Sequence, residues 1–226
     1  MPVGTAQKIV ALRADFRSAA QLADLLGVSR SQVTRWLRGA GIHPLNRCFA
    51  WDERARERQM DGPLWFPRVS RGKGRHDNPG IYGCLCLADR AVSSVVEQLA
   101  RFRGQGLTPA LLRRRGFPFG LAGLELVDGA GLVNLDDPAV PSREELRPSF
   151  VATRHRNVTK PQTRKLHEQH AGAAGLPWWS TYEALWMNVT LFDRASALLR
   201  VRSVRALAIE DSAVIEAAQF FELPVG

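Results

Sequence analysis

The sequence predicts an α+β protein preceded by a short all-α segment, on three observations. Strand-like and helix-like segments mix without strict alternation, which argues against a doubly wound sheet. Apolar residues recur with period two in some segments and at helical spacing in others. The chain has 226 residues and is 45% hydrophobic, enough for one well-packed domain and a small appendage.

Residues 1–40 are set apart as a helix-turn-helix segment, of which 6–40 read as three short helices. In "SAAQLADLLGVSRSQVTRWLRG", Leu22 and Ala23 pack inward, Gly27 makes the turn, and Val33 and Trp36 form the inner face of the next helix. Ser29 is placed to cap that helix. Arg30, Ser31, Gln32, Thr34, Arg35 and Arg38 are left on or near its exposed face, and these residue types suit phosphates and base edges. The segment resembles helix-turn-helix DNA-binding proteins, in particular phage-repressor-like antitoxins. A helical hairpin that binds nothing is the competing reading.

Residues 41–62 read as a linker with a short charged helix. "IYGCLCLA" reads as a strand with Tyr82, Cys84, Cys86 and Ala88 on one face. Asp89 is placed to cap a helix whose Val92, Val95, Val96, Leu99 and Phe102 recur at helical spacing. "LAGLELVD" and "GLVNLDD" predict two strands joined at Gly129-Ala130-Gly131, and "TKPQTRKLHEQHAGAAG" a helix closed by glycine. "WMNVTLFD" and "LLRVRSVRALAIE" predict late strands, and "DSAVIEAAQFFEL" a last helix.

The formal net charge is +9, concentrated within residues 63–120 around Arg68, Arg71, Lys73, Arg75 and Arg113 to Arg115. Such charge favours an anionic partner, either a nucleic acid or a phosphate-bearing small molecule. The absence of a long apolar run predicts no membrane span, and the N-terminus turns polar too soon for a secretory signal. Three cysteines, Cys48, Cys84 and Cys86, predict reduced thiols and a cytoplasmic location. No metal site is expected: Cys84-x-Cys86 is not a zinc spacing, and His167 with His170 lacks a third ligand. Neither a phosphate-binding glycine loop nor a dinucleotide fingerprint is present.

Arg75 and Glu97 remain. Arg75 stands before the "IYGCLCLA" strand, where a guanidinium can grip phosphate. Glu97 borders the apolar stripe of the following helix, so periodicity leaves it either on the surface or aimed into a cleft. From here the sequence resembles the RES-domain toxins of RES–Xre toxin–antitoxin systems. "GRHDNPG" resembles the family's arginine motif and gives Arg75; "ADRAVSSVVEQLARF" resembles its acidic helix and gives Glu97. "GLPWWSTYEALWMNVTLFDRA" resembles its late serine motif and gives Ser180, while "WFPRVS" resembles the domain's start and gives Arg68. The resemblance spans about residues 63–210 and assigns 63–226 to this domain.

It implies an ADP-ribosyltransferase-like mixed sheet with flanking helices, and an enzyme that cleaves the nicotinamide–ribose bond of NAD by phosphorolysis or hydrolysis. NAD is then a substrate rather than a bound cofactor, with inorganic phosphate a possible co-substrate. Glu97, Ser180 and Arg75 become the catalytic set, with Arg68, Arg75, Tyr82, Cys86 and Asn188 around the dinucleotide. Implied partners are an Xre-type antitoxin, operator DNA through residues 1–40, and a second copy in a homodimer. One departure stands out: family members often carry a Tyr midway between Arg and Glu, where this chain has Cys86. That leaves open an alternative, an attenuated DNA-binding regulator or a toxin–antitoxin fusion remnant. Transfer of ADP-ribose to protein is a weaker third reading.

Overall fold

The computed structural model describes residues 44–50, 62–66, 72, 74–114, 116–127 and 130–224. The segment expected to bind DNA, including Arg30, Ser31, Gln32, Thr34, Arg35 and Arg38, lies outside the described residues, as does Arg68. Among the described residues, seven strands form one sheet: β1 (Pro44–Ala50), β2 (Cys84–Ala88), β3 (Arg113–Arg114), β4 (Phe117–Leu126), β5 (Gly175–Trp179), β6 (Met187–Phe192) and β7 (Leu199–Ala206). Their order is β3-β4-β1-β2-β6-β5, with β7 also paired to β4, and every pairing is antiparallel. Helices α1 (Ala91–Leu99), α2 (Ala139–Arg143), α3 (Pro148–Val151), α4 (Arg156–Gln169) and α5 (Ser212–Phe220) complete the mixed α+β architecture. Among the described residues, no helix is long and apolar enough to cross a membrane.

Side-chain alternation along the strands sorts the core into two faces. Leu45, Phe49, Leu85, Leu87, Leu124, Val189 and Leu191 fill one face. On the other, α1 and α5 bury Val95, Val96, Leu99, Val214 and Ala217 against Cys48, Phe119 and Leu121. At the opposite end of that second face, Leu166 of α4 packs with Tyr82, Cys84, Leu176, Trp178 and Phe192. Two helical covers thus share one sheet face. Between them run the polar positions of β2 and β6, with Cys86 opposite Thr190 and Ala88 opposite Asn188.

Several expectations need correction. Residues 44–50, assigned to a linker, form β1 in the middle of the sheet. Arg47 interrupts the apolar pattern there, yet it is buried and its guanidinium donates to the Gly62 and Pro63 carbonyls at 2.6 and 2.7 Å. A buried charge with carbonyl partners is tolerated inside a strand, which a pattern of hydropathy does not reveal. Asp89 does not cap α1. The N-cap is Arg90, and the Asp89 carboxylate instead accepts the Met187 N–H at 3.2 Å, tying β2 to β6. "GLVNLDD" forms no strand; Leu132 makes a single parallel bridge to Gly175, supported by the Val133 and Leu135 N–H groups on β5 carbonyls.

At Gly175 the β6 backbone leaves no room for a side chain. A Cβ there would stand 2.3 Å from the Thr190 carbonyl oxygen and 2.9 Å from Leu191 Cα. Backbone cannot yield as a flexible side chain does, so Gly175→Ala is expected to lower stability by about 1–3 kcal/mol. A urea midpoint equal to that of the wild type would contradict this packing.

Candidate active-site cleft

Arg75 reaches the gap between the two helical covers because Gly72 and residues 74–82 are tied together from within. The buried Asp77 carboxylate accepts the N–H groups of Gly72 and Gly74, at 3.0 and 2.7 Å, and the Cys84 thiol at 3.1 Å. Thr159 of α4 donates its hydroxyl to the Arg75 carbonyl at 2.6 Å, and Asn78 donates to the Lys160 carbonyl at 3.1 Å. The loop is therefore anchored on α4. From it the Arg75 guanidinium donates to the Thr153 carbonyl and, at 3.4 Å, to the Thr181 hydroxyl. It lies 4.6 Å from the centre of the Trp178 ring, a cation–π contact.

Glu97 enters from α1. Asn188 of β6 donates to its carboxylate at 3.1 Å, and Asn188 is itself fixed by the Ser93 hydroxyl at 3.3 Å. Asn188 is buried, while Glu97 is an exposed residue whose carboxylate is nonetheless partly desolvated by the protein around it. That combination describes a group on the wall of a cleft. Burial raises its pKa above the ordinary carboxylate value, opposed by Arg75, the Asn188 hydrogen bond and Arg154. Burial in turn lowers the pKa of Arg75, against the field of Glu97. The two charges sense each other across the cleft without an ion-pair contact.

The other assigned residues fall into different places. Cys86 is the exposed position of β2 and shares the field around Arg75. Tyr82, expected against the dinucleotide, does not line the cleft. It is 1% exposed, and its hydroxyl donates to the His76 carbonyl and accepts from Asn78, so it holds the loop from inside the core. The strand begins only at Cys84, so the alternation that put Tyr82 on the same face as Cys86 does not extend back to it. Ser180 is buried at the end of β5; its hydroxyl accepts the Tyr182 N–H at 3.1 Å and its own N–H donates to the Trp186 carbonyl. Those bonds shape the β5–β6 turn, which presents Thr181 to Arg75.

Sequence reasoning missed three contributors: Trp178 beneath Arg75, Tyr182, and Arg154. Burial chiefly, and then Glu97, raise the pKa of the Tyr182 phenol, so it stands within the field of the cleft carboxylate. The available signal was the aromatic density of "PWWSTYEALW" between two strands. Among the described residues, no group of three His, Cys, Asp or Glu side chains is placed to hold a metal ion. The ring of His167 packs on Tyr82 and Phe192, and His170 Nε2 lies 3.1 Å from Glu144.

Behind the cleft, Thr190 accepts the Trp178 indole N–H at 3.2 Å and lies 2.7 Å from His76 Nδ1. The direction of that bond follows the His76 tautomer, since the hydroxyl can donate to Nδ1 or accept from it. Burial first, and then Arg75, depress the pKa of His76 to about 3. A histidine depressed in the folded state binds fewer protons than in the unfolded chain between that value and its ordinary 6.5. Stability therefore rises with pH through this window and is lost on acidification, by up to about 1.4 kcal/mol per pH unit. His76→Gln is expected to flatten the fall in melting temperature between pH 6 and 4; an unchanged slope would assign the acid sensitivity elsewhere.

The fold is thus a mixed, antiparallel-sheet α+β fold in which polar side chains from Arg75, Glu97 and Asn188 gather between two helical covers on one sheet face. The sequence matches no protein-family model and no curated protein. A chain in the crystal structure of the M. tuberculosis MbcT–MbcA toxin–antitoxin complex is similar, with a TM-score of 0.56 over 80% of this chain and 88% of that one, at 14% identity. The likeness is one of fold.

Proposed function

We propose that this protein consumes NAD, breaking the nicotinamide–ribose bond by phosphorolysis or hydrolysis, as the toxin-like member of a toxin–antitoxin pair. The observation that carries this reading is the Glu97 carboxylate, fixed by Asn188 on a cleft wall and facing Arg75 without pairing to it. The fold shared with a component of a toxin–antitoxin complex supports it, and with it an antitoxin as partner; that the antitoxin is of the Xre type rests on the sequence resemblance alone. The matched arginine, glutamate and serine motifs support an ADP-ribosyltransferase-like arrangement over residues 63–226, to which the β1 strand is added.

In this mechanism the C1′–N bond breaks and its electron pair leaves with neutral nicotinamide. Positive charge builds on the ribose ring, and the Glu97 carboxylate stabilises it while holding the ribose hydroxyls. An oxygen of water or inorganic phosphate then bonds to C1′; with water, a proton passes to solvent. Arg75 and Arg68 bind phosphate groups, Asn188 keeps Glu97 in place, and Ser180 contributes through the turn it stabilises.

Purified protein is expected to deplete NAD and release nicotinamide. A rate that rises with added phosphate assigns phosphorolysis, and label from NAD appearing on protein would assign transfer. Turnover no greater than that of Glu97→Ala would sink the enzymatic reading. A second reading, a DNA-binding regulator with an attenuated pocket, draws on the thiol of Cys86 at the cleft and on residues 1–40. Salt-dependent operator binding, lost in Arg35→Ala and without NAD loss, would favour it.

A further inference from the structure

Arg75 is committed. Its guanidinium is divided between the Thr153 carbonyl, the Thr181 hydroxyl and the Trp178 ring, and Glu97 answers its charge. Two other arginines in the same neighbourhood are differently placed. Arg103 follows the turn after α1, and Arg154 lies in the segment between α3 and α4; both are exposed. Each guanidinium stacks over Tyr182, Arg154 at 4.8 Å and Arg103 at 5.6 Å from the ring centre, and Arg103 also lies 4.4 Å from the centre of Phe221. Among the described residues, neither forms an ion pair with a carboxylate.

We propose that Arg103 and Arg154, gathered on the ring of Tyr182, form a subsite for phosphate oxyanions at the mouth of the Glu97 cleft. A guanidinium lying over a ring has N–H groups that the ring does not accept, and these suit the oxygens of a phosphate. Two cations drawn to one ring repel each other, and a multivalent anion relieves that repulsion. Tyr182 is then a positioning residue. With guanidiniums on its ring, it is not a platform for a stacked base. It stands near Glu97 because its own N–H is tied to Ser180, which gives that buried hydroxyl a role in building the subsite. The phosphate chemistry has two sources, the diphosphate of a dinucleotide or a free inorganic phosphate; naming NAD as its carrier rests on the function proposed above.

The test is calorimetric titration of the full-length protein with inorganic pyrophosphate, followed by kinetics with NAD and with phosphate. Arg103→Ala and Arg154→Ala are each expected to weaken pyrophosphate binding about tenfold, in a salt-dependent manner. Tyr182→Phe, which keeps the ring, is expected to bind as the wild type does, and Tyr182→Leu to bind more weakly. A raised KM for NAD in the arginine variants assigns the subsite to the dinucleotide's diphosphate; a raised KM for phosphate alone assigns it to the attacking anion. Pyrophosphate binding that is absent in the wild type overturns the proposal. So does binding that survives in both arginine variants or falls equally in Arg113→Ala, whose guanidinium lies on exposed β3. Pyrophosphate binding as expected with no NAD cleavage would overturn the NAD reading and leave this subsite standing.

Discussion

Glu97→Gln is expected to lower NAD turnover about a hundred- to a thousandfold, with the fold intact and KM little changed. Gln keeps the length of the side chain, and its carbonyl still accepts the Asn188 amide, so the group stays where it is. What disappears is the negative charge facing the ribose as positive charge develops there. A preorganised electrostatic partner of that kind contributes roughly 3–4 kcal/mol to the barrier when it is removed alone. The wild type should also lose activity on acidification through a pKa above the ordinary carboxylate value, because burial raises that of Glu97 and only the ionised form is useful. Far-UV and near-UV circular dichroism of the variant check the fold; a variant as active as the wild type would remove Glu97 from the mechanism.

Arg75→Lys carries the second large effect, and it falls on stability as well as activity. The guanidinium spans Thr153 and Thr181 while lying over Trp178, so it joins three separated segments through one planar group. Lys offers a single point of charge and cannot reproduce that geometry. Losing two charge-assisted hydrogen bonds and a cation–π contact predicts a loss of about 3 kcal/mol, together with at least tenfold in kcat/KM. The measurement is a urea midpoint beside the NAD assay. Equal midpoints for Arg75→Lys and the wild type would mean that the Arg75 contacts do not hold these segments together.

Much of this architecture is legible in the chain because burial repeats with a period. The Val92, Val95, Val96 and Leu99 stripe became the inner face of α1, and "MNVTLF" became a strand buried along its whole length. β1 escaped notice because a satisfied buried Arg47 looks polar in sequence. Glu97 was recognisable as a border residue, but its link to Asn188 joins a helix to a strand ninety-one residues away, and no local spacing reports that. Tyr82 was misplaced and Tyr182 missed for a related reason. Tyr82 shares a parity with Cys86, yet the turn at Asn78 folds it into the core, while Tyr182 sits in a turn with no periodicity and reaches the cleft.

Cys86 gains a sharper meaning from the same geometry. It is exposed on β2 directly opposite Thr190, whose hydroxyl supports Trp178 and so the plane on which Arg75 rests. A side chain at this position faces the cleft, and a tyrosine there would add an aromatic wall without entering the packed core.

The most direct test is nicotinamide released per NAD lost, measured for the purified wild type beside Cys86→Tyr. One nicotinamide per NAD from the wild type, with Cys86→Tyr at least as fast, is the result expected for an intact cleft. Nicotinamide from neither protein, at enzyme concentrations comparable to the NAD present, would contradict the assignment of this cleft to NAD.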